Sequence, residues 1–214
     1  MDEEIDIINT NTRIEKLKNF LISNRKKIIV LLILIILLLI SFFAYQEFNS
    51  RNKEKLANKF NNIVINFDAG QKQNVNTSLI EIINLKDKTY SPLAFFFLLD
   101  NDLISSNDEI NTYFDLLINE ISLDKEIKNL TIYKKGLFNS DFVQENELLS
   151  ILNPIIKSES MWKPQALYLM AEYYLSKNQK QKSKEFFNQI VDMENISPKI
   201  KLEAQKRLRS DFSE

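Results

Sequence analysis

The sequence predicts an all-α protein: a single N-terminal transmembrane helix followed by antiparallel helix pairs stacked in series. Three observations predict it. Residues 28–45 are eighteen consecutive positions without a charge. Beyond them only two glycines and four prolines interrupt the chain. The apolar residues recur at three- and four-residue spacing, the period of a helix packed along one side.

The first element is the apolar run. At ~1.5 Å per residue a helix of this length measures about 27 Å, close to the ~30 Å hydrocarbon core of a bilayer. Each Ile, Leu, Val or Phe contributes roughly −0.3 to −0.6 kcal/mol to insertion. The run has no polar face, which a buried helix of a soluble domain would carry, and Ser41 can hydrogen-bond to its own helix. Arg25, Lys26 and Lys27 abut its N-terminal end. Residues 1–27 hold six basic and five acidic side chains, against four basic ones (Arg51, Lys53, Lys55, Lys59) in residues 46–60. That bias keeps the short head in the cytoplasm and sends the tail across. A cleavable signal would have a shorter core and end in a small-x-small site. Phe42 stands two positions before Ala44, so the helix is expected to stay as an uncleaved anchor. Tyr45 and Phe48 suit the aromatic interface. The expected organisation is a cytoplasmic head over residues 1–27 with a short amphipathic helix, a transmembrane helix over 28–45, and a helical repeat domain over 46–214.

Composition narrows the chemistry of the tail. Its basic and acidic residues nearly balance and form no basic stripe, so nucleic-acid binding has little electrostatic footing. The chain has no His and no Cys, which removes the commonest general base, the commonest metal ligand and the thiol nucleophile. Two glycines, Gly70 and Gly136, cannot build a phosphate-cradling loop. The expectation is a protein that is not an enzyme, with no cofactor, no metal and no small-molecule substrate. The alternative of another class is a membrane-bound hydrolase with paired carboxylates, which requires two acids converging in one pocket.

The tail divides at its breakers. Leu56, Phe60, Ile63, Val64 and Phe67 make one face of a helix that continues out of the membrane until Gly70. A second helix, about Val75 to Leu85, uses Leu79, Ile82 and Ile83. Ser91-Pro92 predicts a third, with serine at the N-cap and proline in the first turn. Its run Leu93 to Leu99 is apolar all round and should be central. Asn107-Asp108 opens a fourth with Ile110, Tyr113, Phe114, Leu117 and Ile118. Further helices are expected from about Asp124 to Phe138, Glu145 to Lys157, Lys163 to Ser176, Gln181 to Met193, and from Ser197-Pro198 to about Leu208.

Short helices with short connections prompt a search for repeats. The clearest unit is Leu167-x2-Met170-Ala171-x2-Tyr174, followed by Ser183-x3-Phe187-x2-Ile190. This spacing matches the tetratricopeptide pattern. Small residues, Ala171 and Ser183, let two helices approach closely, and Tyr174 and Phe187 take the aromatic positions. Ala94 is the candidate small residue one unit back, with Phe114 on its partner helix across a longer loop, and Thr131 falls between Ala94 and Ala171 at intervals of 37 and 40 residues. A generic helical bundle accounts for these earlier segments almost as well.

With these features together, the chain resembles the YfgM-like family of ancillary SecYEG translocon subunits. The similarity lies in Asp2-Glu3-Glu4 and the segment Arg13 to Phe20 before the anchor, in Tyr45-Gln46-Glu47-Phe48 at its exit, in Lys55-Leu56-Ala57-x2-Phe60, and in Pro198-x5-Ala204-x3-Leu208. In the middle, Ile, Asn and Phe replace the usual Ala and Gly. The resemblance implies a single-pass protein of the bacterial inner membrane, with its C-terminal domain in the periplasm. It implies partners in the SecYEG translocon and a membrane-anchored chaperone of the PpiD type, and no catalytic residues.

The leading functional expectation is therefore a membrane-tethered protein–protein interaction scaffold that assists proteins emerging at the translocon. An adaptor in outer-membrane assembly or cell-division coordination shares its fold and tether. In the head, Ile14, Leu17, Phe20 and Leu21 fall on one helical stripe beside Lys16, Lys18 and Arg25. This stripe could bind a cytoplasmic partner or the inner leaflet; the plainer reading, which we favour, is a topogenic flank resting on lipid. Phe95-Phe96-Phe97 and Trp162 could line a pocket, but core packing suits them better.

Overall fold

The computed structural model describes residues 14–16 and 18–212. Leu17, Arg13 and the acidic start Asp2-Glu3-Glu4 lie outside the described residues. Among the described residues the fold is all-α, without strands. After helical residues 18–23 come α1 (Arg25–Asp68), α2 (Val75–Asn84), α3 (Tyr90–Asp100), α4 (Asn107–Asn119), α5 (Lys125–Asn139), α6 (Glu145–Ile156), α7 (Lys163–Ser176), α8 (Lys180–Asp192) and α9 (Pro198–Ser210). The chain divides into two compact units within α1, after Lys59.

In the first unit, α1 carries an eighteen-residue window of mean hydropathy 3.3, none of it buried. By length and composition it is the one helix among the described residues able to cross a membrane. Beyond the apolar run, Arg51 and Glu47 form an exposed ion pair at 2.6 Å, one turn apart.

The second unit is built from helix pairs that share one packing register. On α8 the buried residues Ser183, Phe187 and Ile190 are spaced four and three. The same spacing recurs as Leu148, Leu152 and Ile155 on α6 and as Ile110, Phe114 and Leu117 on α4, all buried. It recurs again as Val75, Leu79 and Ile82 on α2. Twelve residues before the first member of each set stand Ala171, Gly136, Leu98 and Ile63, at successive intervals of 35, 38 and 35 residues. Helices α3 with α4, α5 with α6 and α7 with α8 are thus successive pairs in one register; the same spacing runs from the end of α1 to α2, but α2 packs chiefly on α3. Helix α9 closes the series, its buried Ala204 lying 33 residues beyond Ala171.

Equivalent contacts support this register. Three residues before Ala171, Tyr168 meets Phe187 edge-on at 5.4 Å. Three residues before Leu98, Phe95 meets Phe114 edge-on at 4.8 Å. Seven residues after Ile63 and after Ala171, Gly70 (φ 84°) and Asn178 (φ 58°) take the left-handed conformation that ends a helix. The following amides, Gln71 and Gln179, donate back five residues to Asn66 and Tyr174 at 2.9 and 2.8 Å.

The register corrects the reading of the earlier repeats. Thr131 is fully buried, but its hydroxyl donates to the Ile127 carbonyl of its own helix at 2.9 Å. The close approach of α5 to α6 occurs at Gly136, where an added Cβ would stand 2.5 Å from Leu152 Cδ2. Ala94 is buried one turn before Leu98, which holds the equivalent position. Side-chain size at that position tracks the approach. Pair α7–α8, with Ala171 opposite Ser183, is the most intimate, α5–α6 is intermediate, α3–α4 is more open, and the end of α1 and α2 approach least of all.

Ser91 also differs from expectation. Helix α3 begins two residues earlier than a Ser91 cap would set, at Tyr90, with Thr89 at the cap. Asp87 satisfies its free amides instead, Oδ1 accepting from Thr89 N and Tyr90 N at 2.8 Å each. Ser91 is fully buried and donates to the Ile82 carbonyl at 3.0 Å, tying α3 to α2. A serine before a proline reads locally as a cap, but an aspartate four residues upstream had already turned the chain.

Candidate functional site

The residues singled out for repeat packing all lie inside the second unit. Leu167, Met170, Ala171, Tyr174, Ser183, Phe187 and Ile190 are buried. The Ser183 hydroxyl donates to the Ala171 carbonyl at 2.8 Å, so the two small positions touch directly. They divide between two clusters. Leu167, Ala171, Phe187 and Ile190 pack forward onto Ala204 of α9. Met170 and Tyr174 pack backward onto Leu148, Leu152 and Ile155 of α6. Helix α7 is therefore shared by two repeats, which couples them into one solenoid core.

Polar clamps fasten successive repeats at their rims. Glu145, on the first turn of α6, accepts from Tyr174 Oη at 3.1 Å, Gln179 Nε2 at 3.3 Å and Lys182 Nζ at 2.7 Å. The Lys182 ammonium is the largest influence holding the Glu145 carboxyl below its ordinary range. Burial first, and then the bond to Glu145, pushes the Tyr174 hydroxyl up to about 12. On the last repeat, Arg207 of α9 grips Glu172 of α7 through Nε and Nη2 at 2.8 and 2.6 Å, while Nη1 reaches Asp211 at 3.0 Å. Between α4 and α5, Asn111 and Asn139 exchange two amide hydrogen bonds at 3.0 and 2.8 Å. None of the clamps between helices was legible in the sequence, because each joins residues 28–37 apart that no local pattern connects.

The aromatic residues considered as pocket linings are packing elements. Phe95 is fully buried; Phe96 and Phe97 are half-buried. Phe97 meets Phe60 and Phe67 from the end of α1 at 6.4 and 5.3 Å. Trp162 stacks on Tyr133 at 5.9 Å, nearly parallel, bridging the entry of α7 to α5. A cleft of about 570 Å³ opens at the first repeat, lined by Ile63, Asn66, Gly70, Val75 and Ser78 among others. It lies where two branched side chains, Ile63 and Val75, replace the small pair of the last repeat.

Among the described residues no carboxylate is buried and no group of three acids could hold a metal ion. The downward shift at Glu145 is also opposite to what a proton-donating acid requires. Arg25, Lys26 and Lys27, the residues assigned to orientation, are exposed on the first turn of α1. No family profile, no curated protein and no solved structure matches the chain.

Proposed function

We propose that the protein is a single-pass membrane-anchored scaffold that binds other proteins and performs no chemistry of its own. In this reading residues 28–45 span the bacterial inner membrane, the head stays in the cytoplasm and the repeat domain works in the periplasm. It serves there as an ancillary subunit of the SecYEG translocon, together with a chaperone of the PpiD type. The observation that carries the reading is the recurrence of one helix-pair register three times behind one apolar helix. Stacked helix pairs expose extended surfaces on which helices or unfolded segments can dock. A membrane tether supplies the remaining requirement. It confines the domain to the bilayer surface, so that weak contacts with a membrane-bound partner act at an effective concentration on the order of millimolar.

Affinity purification of the full chain from membranes in a mild detergent tests the assignment of partners. We expect translocon subunits and a periplasmic chaperone to co-purify. Recovery of neither, from membranes that contain both, contradicts it.

A further inference from the structure

We propose that the segment just before the span, residues 14–27, is a docking element for anionic lipid headgroups of the leaflet it enters from. Three features of the first unit converge on this. The first is the exposed apolar stripe: Ile14, Phe20 and Leu21 are 65%, 63% and 47% exposed. Asn19 and Ser23 lie on the opposite side of the turn. Residues 18–23 are helical, which holds Phe20 and Leu21 in place on that turn.

The second is charge. Within residues 14–27 stand Lys16, Lys18, Arg25, Lys26 and Lys27, against the single acid Glu15. Helix physics does not account for the last three. They occupy the first turn of α1, where no acid is present and where the helix dipole favours acids over bases. An anionic surface supplies the missing counter-charge. The third is continuity. The stripe ends at Asn24, whose backbone and side-chain amides both donate to the Phe20 carbonyl at 3.0 Å. The apolar run begins four residues later, so a spanning helix places the stripe at headgroup depth. A basic amphipathic helix at that depth lies with its apolar side among the upper acyl chains and its lysines among the phosphates. Orientation alone would require only the charges. The stripe adds contact with lipid, and the charges make that contact selective.

The inference rests on the reading of residues 28–45 as a span, and one experiment separates the two. The chain contains no cysteine, so single replacements Asn19→Cys, Phe20→Cys, Leu21→Cys, Ser23→Cys and Leu34→Cys give unique spin-labelling sites in the full-length protein. The labelled proteins are reconstituted into vesicles of phosphatidylcholine, with or without phosphatidylglycerol. Accessibility to oxygen and to an aqueous nickel chelate is then read by electron paramagnetic resonance. With phosphatidylglycerol, labels at positions 20 and 21 should move into the oxygen-rich layer while those at 19 and 23 remain in water. With phosphatidylcholine alone, all four should remain in water. Lys16→Gln with Lys18→Gln should weaken docking about 30-fold, from a factor of about five per basic residue near an anionic surface. Arg25, Lys26 and Lys27 are left intact.

Water-exposed labels in both lipids overturn the proposal, as does equal burial in both, which would mean contact without selectivity. Burial that occurs in native membranes but not in vesicles overturns it in favour of a protein partner. A water-accessible label at position 34 instead overturns the span itself.

Discussion

Gly136 has its importance through what it lacks. Alanine there would gain about 1 kcal/mol in helix propensity. Its methyl would stand 2.5 Å from the Cδ2 of Leu152, which is fully buried and has little room to move. Overpacking of a filled core costs about 1–3 kcal/mol, so Gly136→Ala should destabilise the domain by on the order of 1 kcal/mol, and Gly136→Val by more. Thermal unfolding of the protein in detergent measures it, and an unchanged midpoint for the valine variant would refute the close approach. The Glu145 clamp has a pH signature. Its carboxyl is held low by Lys182, so its contribution is complete above the ordinary carboxylate range of about 4.3 and is lost as pH falls through the lowered value. Glu145→Gln should therefore flatten the acid limb of the stability profile and leave its slope near neutrality alone. Tyr174, raised to about 12, works in the opposite direction: its contribution persists below the ordinary tyrosine value of about 10 and disappears as pH climbs through 12. Ultraviolet titration should show several tyrosines ionising late, Tyr174 among them, and Glu145→Gln should bring one of those late steps to lower pH.

At the scale of elements, most helices lie where the spacing of apolar residues and the breakers place them. Lys163–Ser176 coincides with its expected bounds, α2 and α6 differ by a residue at one end, and α5 and α8 by a residue at each end. These were legible because each has one apolar side and a Gly, Pro or Asn turn nearby. What was not legible is the equivalence between helices. Small-residue spacing points to Thr131 rather than Gly136, because a repeat position filled by glycine in one copy, leucine in the next and isoleucine in another has no shared chemistry. The repeating four-and-three spacing of the second helices, Leu148-Leu152-Ile155 against Ser183-Phe187-Ile190, was present in the sequence and identifies the register without reference to residue type. The clamps were invisible for a different reason, since a salt bridge across 35 residues leaves no periodic trace. The Arg207–Glu172 pair shows how one can matter to a whole element. Helix α9 buries Ala204 and rests Leu208 against the same cluster, and the bidentate contact adds to that attachment on α7. A lysine cannot reproduce the paired geometry. Arg207→Lys should accelerate amide exchange in α9 while leaving α5 and α6 unchanged, and uniform protection across the variant would show the clamp to be dispensable.

Across the molecule the division of labour is simple. The first unit supplies an apolar helix and its basic flank; the second supplies a repeated core held by size-matched contacts and rim clamps. Placing a charge in the middle of the apolar run separates the two roles. Ile36→Arg should cost about 2.5–3.5 kcal/mol of insertion and shift the protein toward the alkali-extractable fraction, with the helical content of the repeat domain unchanged. The central claim is that the repeat domain acts by binding proteins beside the membrane, and site-specific photocross-linking in native membranes tests it most directly. A benzophenone amino acid is placed in turn at exposed positions along the domain, such as Ile65, Leu93, Leu137 and Leu202. Discrete protein adducts are expected from a contiguous subset of positions, including translocon or chaperone subunits. Adducts to lipid alone, or none from any position in membranes where the partners are present, would contradict it.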